Sequence, residues 1–117
     1  MTDIITRYLQ CWNETDPATR RTLVEDVFTT DASYVDPMAQ AHGVDALEAT
    51  IAAVQAQFPD FVFSAIGAPD AHHNQVRFGW GLGPAGLEPP IVGFDVAVTS
   101  QDGRINAVFG FLDKVPS

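Results

Sequence analysis

In the first half of the chain apolar positions recur at helical spacing, and after Pro59 they alternate. Ile5, Leu9 and Trp12, with Tyr8 beside them, predict a first helix over about residues 3–13. Thr15-Asp16-Pro17 then offers a capping side chain followed by proline at the first helical position. The second helix carries Leu23, Val24, Val27 and Phe28 on one stripe, and Thr29-Thr-Asp-Ala32 predicts its break. Ser33-Tyr-Val-Asp36 reads as a short strand ended by Pro37. His42-Gly43 closes the following loop, and Asp45 serves the start of a third helix. That helix buries Leu47, Ile51, Val54 and Phe58 before Pro59 stops it.

Beyond Pro59 the period is two. Phe61–Ile66, Gln75–Leu82, Ile91–Thr99 and Ile105–Asp113 read as four strands. Pro69-Asp70, Gly83-Pro84-Ala85-Gly86 and Gln101-Asp102-Gly103-Arg104 divide them, the last being a hairpin signal because Asp-Gly supplies positive φ. Helices in front and a meandering sheet behind predict an α+β fold, one layer of helices on one curved, mostly antiparallel sheet. There is no internal repeat. Val92, Phe94, Val96 and Val98, with Phe109 and Phe111, make the outward sheet face too apolar for solvent, which predicts a subunit interface and a homodimer.

One polar residue interrupts the most apolar strand. In Ile91-Val-Gly-Phe-Asp-Val-Ala-Val98, counting by two puts Asp95 on one face with Gly93 and Ala97. Small neighbours leave room, and a carboxylate in an apolar recess must be paired or protonated. Such a strand describes the wall of a ligand cavity, and it equally describes the solvated face of an amphipathic strand. Arg77 shares a face with Gly79 and Gly81. It either pairs with Asp95 inside the fold, leaving that aspartate ionised, or lies on the surface near the open end of the sheet.

Composition narrows the choices. The 117 residues, 46% apolar and 18% charged, suit a single folded domain over residues 1–117. Six basic residues are scattered against fifteen acidic ones, for a net charge of −9. No basic stripe is present, so nucleic acid and anionic membrane are poor partners. Cys11 stands alone, which excludes an internal disulfide and a multi-cysteine metal site, and on a helix it reads as packing. His72 and His73 are adjacent, so on a strand they point apart and cannot share a metal; no metal and no cofactor is expected. The N-terminus lacks a basic region followed by an apolar run, and no stretch approaches membrane-spanning length. The expectation is a soluble cytoplasmic protein.

Trp12-Asn-Glu-Thr-Asp16, Phe28-Thr-Thr-Asp-Ala-Ser-Tyr-Val-Asp-Pro37, His42-Gly43, Gly93-Phe-Asp95 and Asp102-Gly-Arg-Ile105 together follow a known pattern. Over nearly its whole length the chain resembles the nuclear transport factor 2-like superfamily, and within it the SnoaL-like polyketide cyclases and ketosteroid isomerases. The resemblance implies a cone-shaped, cystatin-like fold, three N-terminal helices on a strongly curved sheet, with a ligand pocket inside and dimers formed by the outer sheet face.

For the site, it implies a tyrosine on the first helix (Tyr8), an aspartate before proline in the first strand (Asp36) and an aspartate on a late strand (Asp95). Asp36 would be the base, with Tyr8 and Asp95 donating to the oxygen that becomes an enolate. Trp12, Arg77, Gly93 and Ala97 would line the pocket. Each working residue also has an ordinary reading, Tyr8 as a core tyrosine and Asp36 as the start of an Asp-Pro turn. Two classes of function follow: a cofactor-free isomerase or cyclase for an apolar carbonyl substrate, or a catalytically silent binder of an apolar metabolite. An Arg77–Asp95 pair would instead resemble the limonene-type epoxide hydrolases of the same superfamily.

Overall fold

The computed structural model describes residues 2–116. Helix α1 spans Thr2–Asn13, α2 Pro17–Val27 and α3 Val44–Gln57; strands β1 to β6 span Phe28–Val35, Gln40–His42, Phe61–His72, Gln75–Pro84, Ile91–Thr99 and Ile105–Lys114. The six strands form one sheet in the order β2-β1-β6-β5-β4-β3. All neighbours are antiparallel except β1 and β6, which run parallel. The helices pack on one face, so the architecture is α+β with three helices on an open, mixed sheet. No helix among the described residues is long and apolar enough to cross a membrane.

The predicted cap of α2 is present, whereas α3 starts after Gly43 with no side-chain cap, and Asp45 in its first turn pairs with Arg21 instead. Asp16 accepts hydrogen bonds from the Thr19 amide at 3.0 Å and the Thr19 hydroxyl at 2.8 Å, and Pro17 opens α2. Gly103 takes φ +84° in the turn between β5 and β6, as Asp102-Gly103 demands. Three boundaries differ from expectation. Thr29–Ala32 follows the end of α2 as expected but already belongs to β1, which starts at Phe28 and not at Ser33; a register shift against β6 between Phe28 and Ser33 lets polar residues sit in an extended segment. Residues 40–42 form the short strand β2 rather than loop. Pro69-Asp70 does not end β3, which runs on to His72. As the edge strand, β3 has a side free of ladder bonds to tolerate proline, and a shift between Ile66 and Asp70, with Gly67 at φ +72°, absorbs the bend.

Burial follows strand parity. On β5, Ile91, Gly93, Asp95 and Ala97 are buried while Val92, Phe94, Val96 and Val98 are half-buried, and Phe109 and Phe111 on β6 are exposed. The core lies between sheet and helices, built from Tyr8, Trp12, Val24, Val27, Leu47 and Ile51 against Phe78, Trp80, Ala97 and Val108.

Two polar clasps fix the end of α1, the helix that carries Tyr8 and Trp12. Buried Arg20 donates to Glu48 Oε2 at 2.6 Å, to Gln55 Oε1 at 2.8 Å and to the Glu14 carbonyl at 3.1 Å; Gln55 in turn donates to the Trp12 carbonyl at 2.9 Å. Asn13 exchanges hydrogen bonds with the Phe63 backbone, hooking α1 to the sheet edge. Removing Glu48 would leave the buried Arg20 charge without its ion-pair partner.

Candidate active site

Between α1, α3 and the inner sheet face lies a cavity of about 220 Å³. Aromatic rings form much of its wall: Tyr8, Trp12, Tyr34, Phe58, Phe63 and Trp80. Leu82, Ile91 and Leu112 add aliphatic surface, and the polar groups that converge on it include Asp36 and Asp95. Among the described residues no basic side chain lines it. An apolar chamber with a few convergent polar groups is the usual form of a small-molecule site.

Tyr8 and Asp95 meet at the inner wall. The Tyr8 hydroxyl donates to Asp95 Oδ2 at 2.8 Å across 87 residues of sequence. The phenol ring is clamped by Phe28 and Phe78, with centroids 5.9 and 5.5 Å away. Burial, then the facing Asp95 carboxylate, holds the Tyr8 hydroxyl well above its ordinary pKa, so it stays a donor. Asp95 itself is 2% exposed. Desolvation pushes its pKa up to about 6, the Tyr8 hydrogen bond and the Trp80 indole oppose the rise, and the charge of Asp36 adds to it. Its Oδ1 atom is buried without a hydrogen-bond partner.

Asp36 stands at the cavity rim in other company. Oδ2 accepts from the Tyr34 hydroxyl at 2.5 Å, and Oδ1 accepts from the Met38 and Ala39 amides, each at 2.8 Å. The carboxylate therefore both caps its own Asp-Pro turn and borders the chamber. Gly110 on β6 separates it from Asp95: a Cβ there would lie 2.7 Å from Asp95 Oδ1 and 3.2 Å from Asp36 Cβ. Only hydrogen at that position lets the two carboxylates share one end of the cavity.

Of the expected pocket residues, Trp12 lines the cavity. Gly93 and Ala97 share the inward face of Asp95 but do not line the cavity. The space beside Gly93 is filled by the Trp80 ring, whose Cζ2 would lie 2.5 Å from a Cβ there, and Ala97 is packed in the core. Arg77 is a correction. It lies on the outer face, 3.8 Å from Asp70 in an exposed ion pair, because Val76, Phe78, Trp80 and Leu82 take the inner face of β4. The small residues that suggested room for it serve another purpose: a Cβ at Gly81 would lie 2.5 Å from Pro89, in the loop after β4. An Arg77–Asp95 site of epoxide-hydrolase type is therefore absent.

His72 and His73 are exposed at the far hairpin, and no group of three or more metal-ligating side chains occurs among the described residues. Cys11 is fully buried with its thiol pushed up to about 12, as expected of packing. Sequence reasoning passed over three neighbours of the two carboxyl groups. Tyr34 was legible as part of the Tyr34–Pro37 motif, but its reach back to Asp36 was not. Trp80 read as wall. Gly110 gave no signal, since only the register Asp95↔Gly110 reveals its role.

No curated protein matches the sequence. Among solved structures, a candidate isomerase of the SnoaL-like family from Agrobacterium tumefaciens is 38% identical over 96% of each chain, with a TM-score of 0.91. A protein described as a candidate polyketide cyclase from Sinorhizobium meliloti is 18% identical over 92% of this chain and 93% of that one, TM-score 0.73. A nuclear transport factor 2-like protein from Exiguobacterium is 21% identical over 94% and 98%, TM-score 0.74. These last two share the fold. The profile of the SnoaL-like domain matches residues 5–108. The chain thus belongs to the SnoaL-like family and has the nuclear transport factor 2-like fold.

Proposed function

We propose that the chain is a cofactor-independent isomerase or cyclase acting by proton transfer on a small apolar carbonyl compound. The observation that carries this reading is the Tyr8–Asp95 hydrogen bond on the wall of an apolar cavity whose rim holds a second carboxylate, Asp36. In the proposed step Asp36 takes a proton from the carbon beside the carbonyl. The electron pair moves onto oxygen, and the enolate formed is held by protonated Asp95 and by Tyr8, whose hydroxyl turns to it from Asp95 Oδ2. Reprotonation by Asp36 at another carbon gives an isomer; attack of the enolate carbon on a second carbonyl of the same molecule gives a ring, and the alkoxide left by that carbonyl takes back the proton held by Asp36. With a pKa near 6, Asp95 needs only further exclusion of water by the substrate to carry its proton at neutral pH. The similarity to a candidate isomerase at 38% identity supports the same class.

The test is a screen of β,γ-unsaturated ketones and linear poly-β-ketones, read by the absorbance of the conjugated or cyclised product. Asp36→Asn is expected to lower turnover by a factor on the order of 10² with the fold intact by circular dichroism. Full turnover in that variant removes Asp36 as the base. A silent binder is the second reading, favoured by the three donors that already occupy Asp36. It predicts saturable binding of such ketones without conversion.

The outer sheet face extends the proposal to assembly. Phe94 and Phe111 stack there with centroids 5.2 Å apart, and Phe111 is 52% exposed. A homodimer through this face would bury them, and a monomeric sedimentation profile at micromolar concentration would refute it.

A further inference from the structure

Beside the Asp95–Tyr8 pair sit two more polar atoms that the proposed reaction does not use: the indole nitrogens of Trp80 and Trp12. Each is buried and neither has a hydrogen-bond partner. Such groups are rare in folded proteins, since losing water without gaining a partner costs about 1–3 kcal/mol.

The backbone dictates where the Trp80 indole goes. Trp80 on β4 is the cross-strand partner of Gly93 on β5, and its ring fills the space that a side chain at Gly93 would need. Asp95 is the next residue along on that face, so the ring is laid beside its carboxyl. Phe63 closes the other side of the indole at 5.4 Å. The indole N–H lies close enough to Asp95 to favour its charged form, yet completes no hydrogen bond of ordinary geometry. Asp95 Oδ1, the atom against Gly110, is the matching orphan acceptor.

We propose that Trp80 is a positioning residue for Asp95: its indole N–H closes onto Asp95 Oδ1 when the carboxyl loses its proton, and is left free for a ligand oxygen when the proton returns. Neutral Asp95 carries its proton on Oδ1, because Oδ2 already accepts from Tyr8. A protonated Oδ1 has less to offer the indole, and both become donors facing the same end of the cavity. Every element packed against Asp95 contributes to the balance. Helix α1 presents Tyr8; β1 and the turn after it present Tyr34 and Asp36; β4 presents Trp80 and Phe78; β6 presents only Gly110. None of these is a cation, so the indole is the dipole that β4 supplies to an otherwise acidic site.

The inference rests on the site's geometry and not on the reaction, and its test needs no substrate. In the wild-type protein the Trp80 indole ¹H–¹⁵N resonance is followed with pH alongside the Asp95 carboxyl carbon. The indole proton is expected to move downfield with the same midpoint as Asp95. In Trp80→Phe, which keeps an aromatic ring and loses the N–H, the Asp95 midpoint is expected to rise by on the order of half to one pH unit. Trp12→Phe, whose indole neighbours Tyr8, is expected to leave it in place. An indole resonance that stays flat through the Asp95 titration overturns the proposal, as does an unmoved midpoint in Trp80→Phe or an equal rise in Trp12→Phe. Should Trp80→Phe fail to fold, the wild-type titration decides alone. Absence of isomerase or cyclase turnover would refute the proposed reaction and leave this coupling standing.

Discussion

Asp36 and Asp95 are the same residue type at one end of one cavity, and the protein treats them oppositely. Asp36 sits half-buried on a turn with three donors around it, two of them backbone amides fixed by the chain's own path. Asp95 lies in mid-strand, 2% exposed, with one phenol on Oδ2 and nothing on Oδ1. An ionised carboxylate can only accept hydrogen bonds, so the first environment suits an acceptor. The second penalises charge and leaves an oxygen free to hold a proton. Two carboxyls with divergent environments can serve as base and acid in a single site, because the surroundings, not the side chains, set the roles.

The sharpest way to break this contrast is through pH. Asp95 has a folded pKa of about 6 against an ordinary 3.8, so between those values the folded protein holds a proton that the unfolded chain has released. Its contribution to stability is fully present below about pH 4, falls as pH rises to about 6, and is flat above. The loss amounts to roughly 3 kcal/mol. Urea unfolding from pH 4 to 8 is expected to show this slope as the difference between wild type and Asp95→Asn; parallel curves would mean that Asp95 is not the buried acid described here.

Tyr8→Phe comes next. At pH 8 it removes the donor to an ionised buried carboxylate, at an expected cost of about 1.5–3 kcal/mol, and the cost should shrink at pH 4 as Asp95 takes up its proton. Tyr34→Phe is the smallest change. Asp36 keeps its two amides, so about 1 kcal/mol is expected, with the Asp95 slope between pH 4 and 6 retained. If the two tyrosine variants behave alike across pH, the two carboxylates are not distinct.

The helices and the last three strands were legible because their apolar periods are long and their punctuation is strong. Asp95 was legible too: a charge between Gly93 and Ala97 in an apolar strand marks an inward face. Arg77 shows where the same reasoning fails. Small residues on a strand imply a close approach without saying from which side, and here Pro89 supplies it from outside. The first half of β1 was hidden because Thr29, Thr30 and Asp31 look like a turn, and only the strand's pairing with β6, nearly eighty residues later, draws them into extended form. The commitments of Asp36 to its turn and of Trp80 to Asp95 are matters of cross-strand register and local geometry, which no period in the sequence encodes.

The parallel seam between β1 and β6 has a consequence for how the protein comes to exist in the cell. Until residues beyond Ile105 leave the ribosome, β1 has only the three-residue β2 as a sheet neighbour. Through that interval Phe28, Ala32 and Tyr34, all buried in the finished molecule, lack the strand that completes their sheet. The contacts that close the structure are also among the most distant in sequence, which makes closure slow and leaves apolar surface open to chaperones and to neighbouring nascent chains. Chain order therefore makes the cavity one of the last parts to be finished, since Tyr8 must wait for Asp95, and β1 for β6.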